Sequence, residues 1–525
     1  MSADADAVVV GSGPNGLVAA NLLADAGWDV VVLEAQDRYG GAVHSDRSVH
    51  PEFVHDTFSS FYPLVAVSPA MRGLHLEEHG LSWSHAPAVV GSPYRDGGWA
   101  MLHRDRERTA RELDADTPGD GDAWLALCTM WDRLGDDLVD SLMSPFPPAR
   151  LGARTAVRLP GPGGGTLLRA ALGSVEGLVR RHFSGDRARM LLVGNAAHGD
   201  TAVGSPGSGI YGLLLAMTAQ RHGYPVPTGG ASALADALVR RLESRGGRVR
   251  CGTPVERVLV RDGEAWGVRT TGGETVRAGR AVLTDVTAPA LYGGLVPWND
   301  LPARTRALMR WFRWDPATVK VDWALSGPVP WASPPSAAPG TVHVSESVEE
   351  VAAYQRQLDA GAVPSRPFLL AGQMATTDPS RAPAGGESFW AYTHVPQRAT
   401  SDAGDGSVRG VWDADDRERM ADRMQARLEA YAPGFADRVL ARRVLGPREL
   451  EARDANLHNG ALNGGTGVLT QQLVLRPVPG LGGAGTPVKG LFLASMSAHP
   501  GGGVHGACGA NAAHAALRRA GADRR

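Results

Sequence analysis

The sequence predicts an α/β protein in which a discontinuous parallel-sheet domain is interrupted by an inserted α+β domain. Three observations predict this class. A strand–turn–helix–strand unit opens the chain over residues 7–34, and α/β character returns over residues 229–290 and 490–520. The two blocks between them, residues 91–225 and 291–450, instead carry mixed-charge helices and Trp-bearing strands.

The opening unit contains a turn suited to a phosphate. An apolar strand is followed by Gly11-Ser12-Gly13-Pro14-Asn15-Gly16 and then by an apolar stripe at helical spacing. In such a turn, the first glycine permits the tight bend and the second lets a pyrophosphate approach the backbone. The third lets helix and strand pack closely. We therefore expect the helix N-terminus to face the phosphates of a dinucleotide.

The second strand of the unit ends at an acid. Glu34 follows the run Asp29 to Leu33, 18 residues after the last glycine of the turn. A carboxylate at this position accepts hydrogen bonds from a ribose and repels a 2′-phosphate. The unit is thus a Rossmann-like dinucleotide site.

The later α/β elements complete the sheet. The sequence predicts a helix over 232–244 and a last strand over 490–494, followed by a glycine-led helix. The strands predicted between them are 248–251, 255–260, 265–270 and 281–283. We assign the domains as follows: residues 1–90, 226–290 and 451–525 form the dinucleotide-binding domain, and residues 91–225 and 291–450 form a substrate or cap domain.

Composition excludes several classes of protein. The 525 residues are 43% hydrophobic and 21% charged with a net charge of −2, so no bulk charge attracts nucleic acid. The three cysteines, Cys128, Cys251 and Cys508, have no CxxC spacing, which argues against a disulfide framework or a cysteine-rich metal site. No His-x-His or HExxH spacing occurs either, and we expect no metal.

We expect a cytoplasmic protein without a secretory signal or an integral membrane segment. Residues 1–7 are small and acidic, which does not fit a signal peptide. The three long stretches without Asp, Glu, Lys or Arg, residues 201–220, 455–475 and 490–517, are all interrupted by glycine and polar residues. The first of them leaves a peripheral membrane contact open. Oligomeric state is not readable from the sequence.

A second glycine pair distinguishes between the possible dinucleotides. Gly40-Gly41 follows Glu34 by six residues, which lets another loop approach the same pyrophosphate. A nicotinamide-binding domain does not need this pair, so the pattern favours FAD.

The C-terminal segment fits the flavin end of the same cofactor. An apolar strand leads into Ser495 to Pro500 and then into the glycine run that starts at Gly501. The amides of Gly502, Gly503 and Val504, with the following helix N-terminus, provide partial positive charge where a reduced isoalloxazine is negative. No Lys or Arg occurs from residue 490 to residue 517 to supply that charge.

Together these motifs resemble the phytoene desaturase-like flavoproteins, and within them a branch named for a pyridine nucleotide-disulfide oxidoreductase domain. The terminal string "SAHPGGGVHGACGANAA" and "RPVPG" at 476–480 carry the resemblance to the branch, which spans most of the chain. Two departures matter. Ala42 stands where related desaturases and amine oxidases place Arg, and the family's HG motif appears as Ala197-His198-Gly199-Asp200. Despite the name of the branch, the chain has no cysteine pair for disulfide chemistry.

The resemblance implies an FAD-dependent oxidoreductase. We expect it to dehydrogenate or redox-isomerise a largely apolar small organic substrate by hydride transfer to flavin N5, with oxygen or a quinone-like acceptor. One alternative is an amine oxidase-like enzyme, and another is a flavoprotein whose FAD is structural and which acts through a partner.

Candidate site residues follow from the same motifs. A base is needed for the second proton, and His505, His499 and His458 are candidates, with His198 behind them. Val255 opens a strand that resembles the family strand at the adenine, and we expect its backbone to contact the adenine. The expected FAD-binding residues are Gly11, Gly13, Pro14, Asn15, Gly16, Glu34, Ala35, Gly40, Gly41, Ala42, Val255, Gly502, Gly503 and Val504.

Overall fold

The computed structural model describes residues 3–522, with only the backbone of residues 149–151 and 155. The first ten strands are β1 (Ala5–Val10), β2 (Val30–Leu33), β3 (Ser45–Asp46), β4 (His55–Asp56), β5 (Trp83–Ser84), β6 (Ala88–Pro93), β7 (Trp99–Leu102), β8 (Val226–Pro227), β9 (Arg248–Arg250) and β10 (Val255–Arg261). The later strands are β11 (Glu264–Thr270), β12 (Thr275–Thr284), β13 (Ala317–Leu325), β14 (Pro339–Val344), β15 (Ala362–Val363), β16 (Leu369–Gln373), β17 (Glu387–Val395), β18 (Ser401–Asp402), β19 (Val439–Leu445) and β20 (Leu491–Leu493).

The α-helices include a run of seven, α4 to α10, between β7 and β8. The first nine are α1 (Pro14–Asp25), α2 (Pro63–Val67), α3 (Pro69–Arg72), α4 (Arg106–Asp116), α5 (Asp120–Met143), α6 (Ala149–Arg158), α7 (Gly164–Leu172), α8 (Val175–His182) and α9 (Asp186–Ala196). The later ones are α10 (Ser208–His222), α11 (Ser232–Ser244), α12 (Ala288–Ala290), α13 (Ala303–Leu308), α14 (Val348–Asp359), α15 (Met374–Thr377), α16 (Ala414–Glu429), α17 (Pro447–Arg453) and α18 (Ala507–Ala522).

The first sheet is parallel at its centre. Strands β20, β12, β1, β2 and β9 lie side by side in that order, and β10 and β11 extend the start of β12 as an antiparallel meander. Helices α1 and α18 pack together against one face, where their alanines and leucines bury an apolar layer. The carboxyl ends of the parallel strands therefore meet at one edge, where such sheets bind ligands.

The second sheet is mostly antiparallel, in the order β19, β13, β17, β16, β14, β6 and β7. Its two faces differ in chemistry because side chains alternate along each strand. One face, which includes Val321, Trp323 and Phe389, packs on α16 to form an apolar core. The opposite face carries polar side chains: Thr318, Lys320 and Asp322 on β13, Tyr392 and His394 on β17, and His343 on β14. We call this surface the polar sheet face.

A helical layer lies over part of the polar sheet face. Helices α5, α7, α8, α9 and α10 share one apolar core, which includes Trp124, Leu191 and Met217. Helix α9 comes so close to β14 that a Cβ at Gly194 would lie 2.3 Å from Nδ1 of His343. The loop after α9 therefore meets the polar sheet face in the interior of the protein.

The predicted fold class is confirmed, with one difference at a boundary. Strands from the beginning, middle and end of the chain build the parallel sheet, and the two intervening blocks supply most of the second sheet and the helical layer. The predicted boundary at residue 90 falls inside β6, because that strand pairs with β14 of the second sheet. Among the described helices, none is both long enough and apolar enough to cross a bilayer.

Candidate active site

The glycine turn between β1 and α1 is shaped for a dinucleotide. Gly11 has a φ of +95°, and a Cβ there would lie 2.9 Å from the carbonyl oxygen of Asp285. A Cβ at Gly16 would lie 2.3 Å from the carbonyl oxygen of Gly11. A side chain at either position would therefore disrupt the turn. Gly13, which caps the helix, and Pro14, its first residue, keep accessible surface.

Glu34 holds the turn from the end of β2. Its Oε2 accepts hydrogen bonds from the backbone N–H of Ser12, at 2.8 Å, and from the Ser12 hydroxyl. Its Oε1 accepts a bond from the N–H of Gln36 at 2.9 Å. The carboxylate is buried, and one of its roughly four acceptor positions remains for a ribose hydroxyl.

The second glycine pair lies directly against the first turn. A Cβ at Gly41 would lie 3.0 Å from the Cα of Gly13, and the N–H of Gly40 donates to the carbonyl oxygen of Ser12 at 3.2 Å. Gly41 and Ala42 keep accessible surface. The two glycine-rich loops therefore form one cradle, in which a diphosphate can contact backbone from two sides.

Ala35 and Val255 lie beside Glu34 at the outer end of the cradle. Ala35 is exposed, and Val255 begins β10 just after two residues that bond to the end of β2. The N–H of Gly252 donates to the carbonyl oxygen of Gln36 at 2.7 Å, and that of Thr253 donates to Glu34 at 2.8 Å. The contact of Val255 with an adenine stays a prediction.

Two further acids line the cradle, and no motif in the sequence indicates either of them. Asp285 follows β12, and its carboxylate accepts a hydrogen bond from the N–H of Gly16 at 2.8 Å. Burial raises the pKa of Asp285 to about 7, and the charges of Asp454 and Glu34 act in the same direction. Burial also raises the pKa of Asp454 to about 6, with a contribution from Glu34. The side chain of Asp454 lies close to the position that a Cβ of Gly41 would take.

The terminal glycine run packs against three other segments. A Cβ built on Gly501 would lie 3.2 Å from the guanidinium carbon of Arg476. A Cβ built on Gly502 would lie 2.4 Å from Oδ1 of Asn463. At Gly503 it would lie 2.7 Å from Cδ1 of Leu64. Gly502, Gly503 and Val504 retain accessible surface. Their contact with the isoalloxazine remains a prediction.

Arg476 brings a positive charge to this glycine run, although residues 490–517 contain no Lys or Arg. Its guanidinium donates to the carbonyl oxygens of Met496 at 3.0 Å, Thr466 at 3.1 Å and Asn463 at 2.6 Å. The side chain is buried, and burial lowers its pKa. Arg476 therefore ties the loop 463–466 to the terminal segment.

The predicted histidines lie in different environments. Both ring nitrogens of buried His505 are used within its own loop, since Nε2 contacts the carbonyl oxygen of Gly501 and Nδ1 accepts from the N–H of Ala507. Buried His499 uses Nε2 on the carbonyl oxygen of Ser144, while Nδ1 has no hydrogen-bond partner among the described residues. Burial lowers the pKa of both histidines to about 4.

His458 is not brought to the same place. Its side chain is 47% exposed, its Nδ1 contacts Glu451 at 2.8 Å, and its ring packs on Trp314. It can therefore act on a buried substrate only if the surface around it rearranges.

His198 lies instead among buried polar groups. Its Nε2 is 2.7 Å from Nε2 of His343 on the polar sheet face. Two residues later, Asp200 accepts hydrogen bonds from the Thr466 hydroxyl and, at 2.7 Å, from the N–H of Gly467. Because Arg476 binds the carbonyl oxygen of Thr466, these contacts connect the His198 loop to the terminal glycine run.

The cradle fits FAD on its own geometry. Its glycines lie where a Cβ would meet Asp285 or backbone atoms of the turn, Glu34 is buried beside it, and buried Asn15 at its helix N-terminus has an Oδ1 with no partner among the described residues. A glycine run with exposed amides stands at the other end.

Comparisons with known families agree with this geometry. Residues 9–75 match the NAD(P)-binding Rossmann-like domain, and residues 168–331 match the flavin containing amine oxidoreductase family. The chain is an FAD-dependent oxidoreductase. It is 28% identical to mouse pyridine nucleotide-disulfide oxidoreductase domain-containing protein 2, over 98% of this chain and 93% of the mouse protein.

Other relatives cover nearly the whole chain as well. The phytoene desaturase (neurosporene-forming) of Rhodobacter capsulatus is 25% identical over 95% of this chain and 91% of its own length. Among solved structures, an oxidoreductase from Methanosarcina mazei superposes with a TM-score of 0.62 at 15% identity, covering 98% of this chain and 99% of that one. Putrescine oxidase bound to putrescine superposes with a TM-score of 0.60 at 18% identity over the same shares of the two chains. These two superpositions show the fold alone.

Proposed function

We propose that this enzyme dehydrogenates a largely apolar organic molecule by hydride transfer to flavin N5, and that oxygen or a quinone-like acceptor reoxidises the flavin. The observation that carries this function is the contact between Leu64 and Gly503. It places an apolar side chain with accessible surface beside the segment assigned to the flavin. Phe61, also part-exposed, extends the apolar surface to Trp390 at 6.1 Å between ring centroids.

Different residues of the chain bind different parts of FAD. The two glycine loops hold the diphosphate and Glu34 the ribose, while the amides at 502–504 face the pyrimidine edge of the flavin. FAD, when bound, accepts the hydride and stores two electrons. Of the three predicted bases we favour His499, whose Nδ1 has no partner among the described residues. Because that atom is fully buried, proton transfer to it requires movement of the surrounding residues.

An amine oxidase-like reaction is the second candidate. The match of residues 168–331 to the flavin containing amine oxidoreductase family favours it. A structural FAD that acts through a protein partner is the third. We further propose a cytoplasmic enzyme whose small-molecule substrate can be delivered by peripheral contact with a membrane.

Anaerobic flavin reduction distinguishes the three candidates. Purified holoprotein is mixed with phytoene, with the cyclic monoterpene limonene, with cyclic ketones and with putrescine, and the visible absorbance of the flavin is followed. We expect bleaching by an olefinic or carbonyl compound and none by the amine. Bleaching by the amine alone would establish the second candidate. A flavin that dithionite reduces but that no member of the panel reduces would favour the third.

A further inference from the structure

We propose that Nδ1–H of His198, fixed in this tautomer by His343, donates a hydrogen bond to a carbonyl oxygen of the substrate. The enzyme then acts on apolar molecules that carry a ketone or aldehyde group. This inference rests on the proposed function and specifies its substrate class.

His343 has a defined set of contacts. Its side chain is 0% exposed, and its Nε2 meets Nε2 of His198 at 2.7 Å. Its Nδ1 has no hydrogen-bond partner among the described residues and faces the backbone of Gly194. A buried N–H without an acceptor is rarer than a buried acceptor without a donor. His343 is therefore protonated on Nε2 and bare on Nδ1.

The tautomer of His198 follows from that of His343. Because Nε2–H of His343 is the donor, Nε2 of His198 must accept. A neutral imidazole carries one proton, so His198 carries it on Nδ1. None of the hydrogen bonds found within residues 3–522 uses that nitrogen.

His198 lies deep in the protein and yet is accessible. Burial, with the nearby His343 and His394, lowers its pKa well below 6.5, so the ring is neutral. Its side chain nevertheless keeps accessible surface, as do Asp200, Tyr211 and Tyr392 around it. Groups that keep accessible surface this deep in the protein are open to a small-molecule ligand.

A neutral donor selects a particular ligand chemistry. A neutral N–H in a buried site gains most from an oxygen acceptor that needs no counter-charge, such as a carbonyl. A hydrocarbon of the same shape leaves that N–H unpaired. The Asp200–Thr466–Arg476 contacts connect the loop that carries this donor to Gly501 of the terminal glycine run.

The tautomers are measured directly in the holoprotein. Long-range ¹H–¹⁵N correlation on [¹⁵N]histidine-labelled protein distinguishes a protonated Nδ1 from a protonated Nε2, and the variants His198→Phe and His343→Leu assign the two signals. We expect Nδ1–H for His198 and Nε2–H for His343. The exposed control His458→Gln leaves both signals unchanged. Nε2–H on His198 would overturn the inference.

Ligand preference tests recognition without any turnover. Binding of 4-phenylcyclohexanone and of phenylcyclohexane is followed by the perturbation of the flavin spectrum. One hydrogen bond predicts that the wild type prefers the ketone by about tenfold. We expect His198→Phe to lose this preference, His343→Leu to reduce it, and His343→Gln, whose amide N–H can donate to His198, to restore it.

Flavin content and circular dichroism establish that each variant is folded. An unchanged ketone preference in folded His198→Phe, or no preference in the wild type, would overturn the inference. If His198→Phe does not fold, the tautomers of the wild type and the ketone preference of His343→Gln test the inference instead. A protein that prefers the ketone while no substrate reduces its flavin fails the proposed function and leaves the recognition site standing.

Discussion

The carboxylate of Asp285 accepts a hydrogen bond from the N–H of Gly16 at 2.8 Å, across a sequence separation of 269 residues. The carboxylate thus accepts from an amide at the N-terminus of α1, where we expect the amides to face a phosphate. With Glu34 and Asp454 it makes three carboxyl groups around a cradle that must hold a diphosphate. Protonation of this acid is therefore linked to cofactor binding.

We expect FAD to bind the apoprotein about tenfold more weakly at a pH near 8 than at a pH near 6. The folded pKa of Asp285, about 7, lies above its ordinary value, so the group is neutral at the lower pH and repels the diphosphate at the higher one. Asp285→Asn should reduce this dependence, and the titration of Asp454, whose pKa is about 6, should account for what remains. Fluorescence titration of apoprotein with FAD measures it.

The same substitution has a stability signature. Between about pH 4 and about pH 7 the folded protein holds a proton on Asp285 that the unfolded chain has lost, so the free energy of unfolding falls as pH rises through this window. Asp285→Asn removes this contribution. The control substitution Asp300→Asn, at an exposed position, does not. Identical pH profiles for wild type and Asp285→Asn would contradict the assignment.

Replacing Glu34 by Ala should weaken FAD binding by about 1–3 kcal/mol, because a ribose hydroxyl and the Ser12 donors lose their acceptor. Reconstitution of apoprotein at increasing FAD concentration measures the loss. Glu52→Ala on the exposed surface is the control. Equal occupancy in Glu34→Ala and wild type would show that the ribose binds elsewhere.

A side chain at residue 503 should lower flavin content or shift the flavin potential downward. Gly503 has a φ of +105°, and a Cβ there meets Leu64, so even Ala is strained. Gly503→Ala therefore serves as the control for Gly503→Glu, because only Glu adds negative charge. Leu64→Ala combined with Gly503→Ala should recover part of the loss. If Gly503→Glu keeps the flavin content and potential of Gly503→Ala, the run lies away from the ring.

The flavin should be released by acid precipitation. Cys508 is the cysteine near the terminal run, and its S–H donates weakly to the carbonyl oxygens of Ala498 and Gly501. Burial raises the pKa of its thiol to about 12, so it offers no thiolate for a covalent link. Cys508→Ala should keep FAD bound. Flavin that stays on the precipitated polypeptide would contradict non-covalent binding.

Loss of the Arg381 guanidinium should cost roughly 3–5 kcal/mol of unfolding free energy. The side chain is 0% exposed and pairs with Asp56 and Asp378, each at 2.9 Å. Arg381→Met leaves both acids buried and unpaired. Denaturant unfolding measures the change, with exposed Arg310→Met as the control. Equal stability of Arg381→Met and wild type would contradict this account.

The parts of the fold that the sequence predicts are local. The β1–α1–β2 unit, the second glycine pair and the terminal glycine run each lie within a few tens of residues, and their spacing carries their geometry. Their steric requirements are visible at Gly11 and Gly41, where a side chain would collide with backbone. Comparison with known families confirms the cofactor that they indicated.

The missed parts are those assembled across the chain. Asp285 reaches the glycine turn from the far end of β12, and His343 meets His198 from 145 residues away. Arg476 supplies a cation to a terminal segment that has none of its own. Such pairs form because the fold brings particular strand ends and loops to the same edge of a sheet. The spacing of residues along one sequence does not show which strand ends and loops those are.

The hairpin of β3 and β4 lies between the two sheets and bonds to the second. The N–H of Val54 donates to the carbonyl oxygen of Arg381 at 2.8 Å, and Lys320 donates to that of Asp56 at 2.9 Å. His55 contacts the carbonyl oxygen of Trp323 at 3.0 Å. A truncated protein that contains only one of the two sheets would leave these buried backbone groups without hydrogen-bond partners. Neither sheet should therefore fold without the other, and loss of FAD from the cradle beside this hairpin should loosen both halves together.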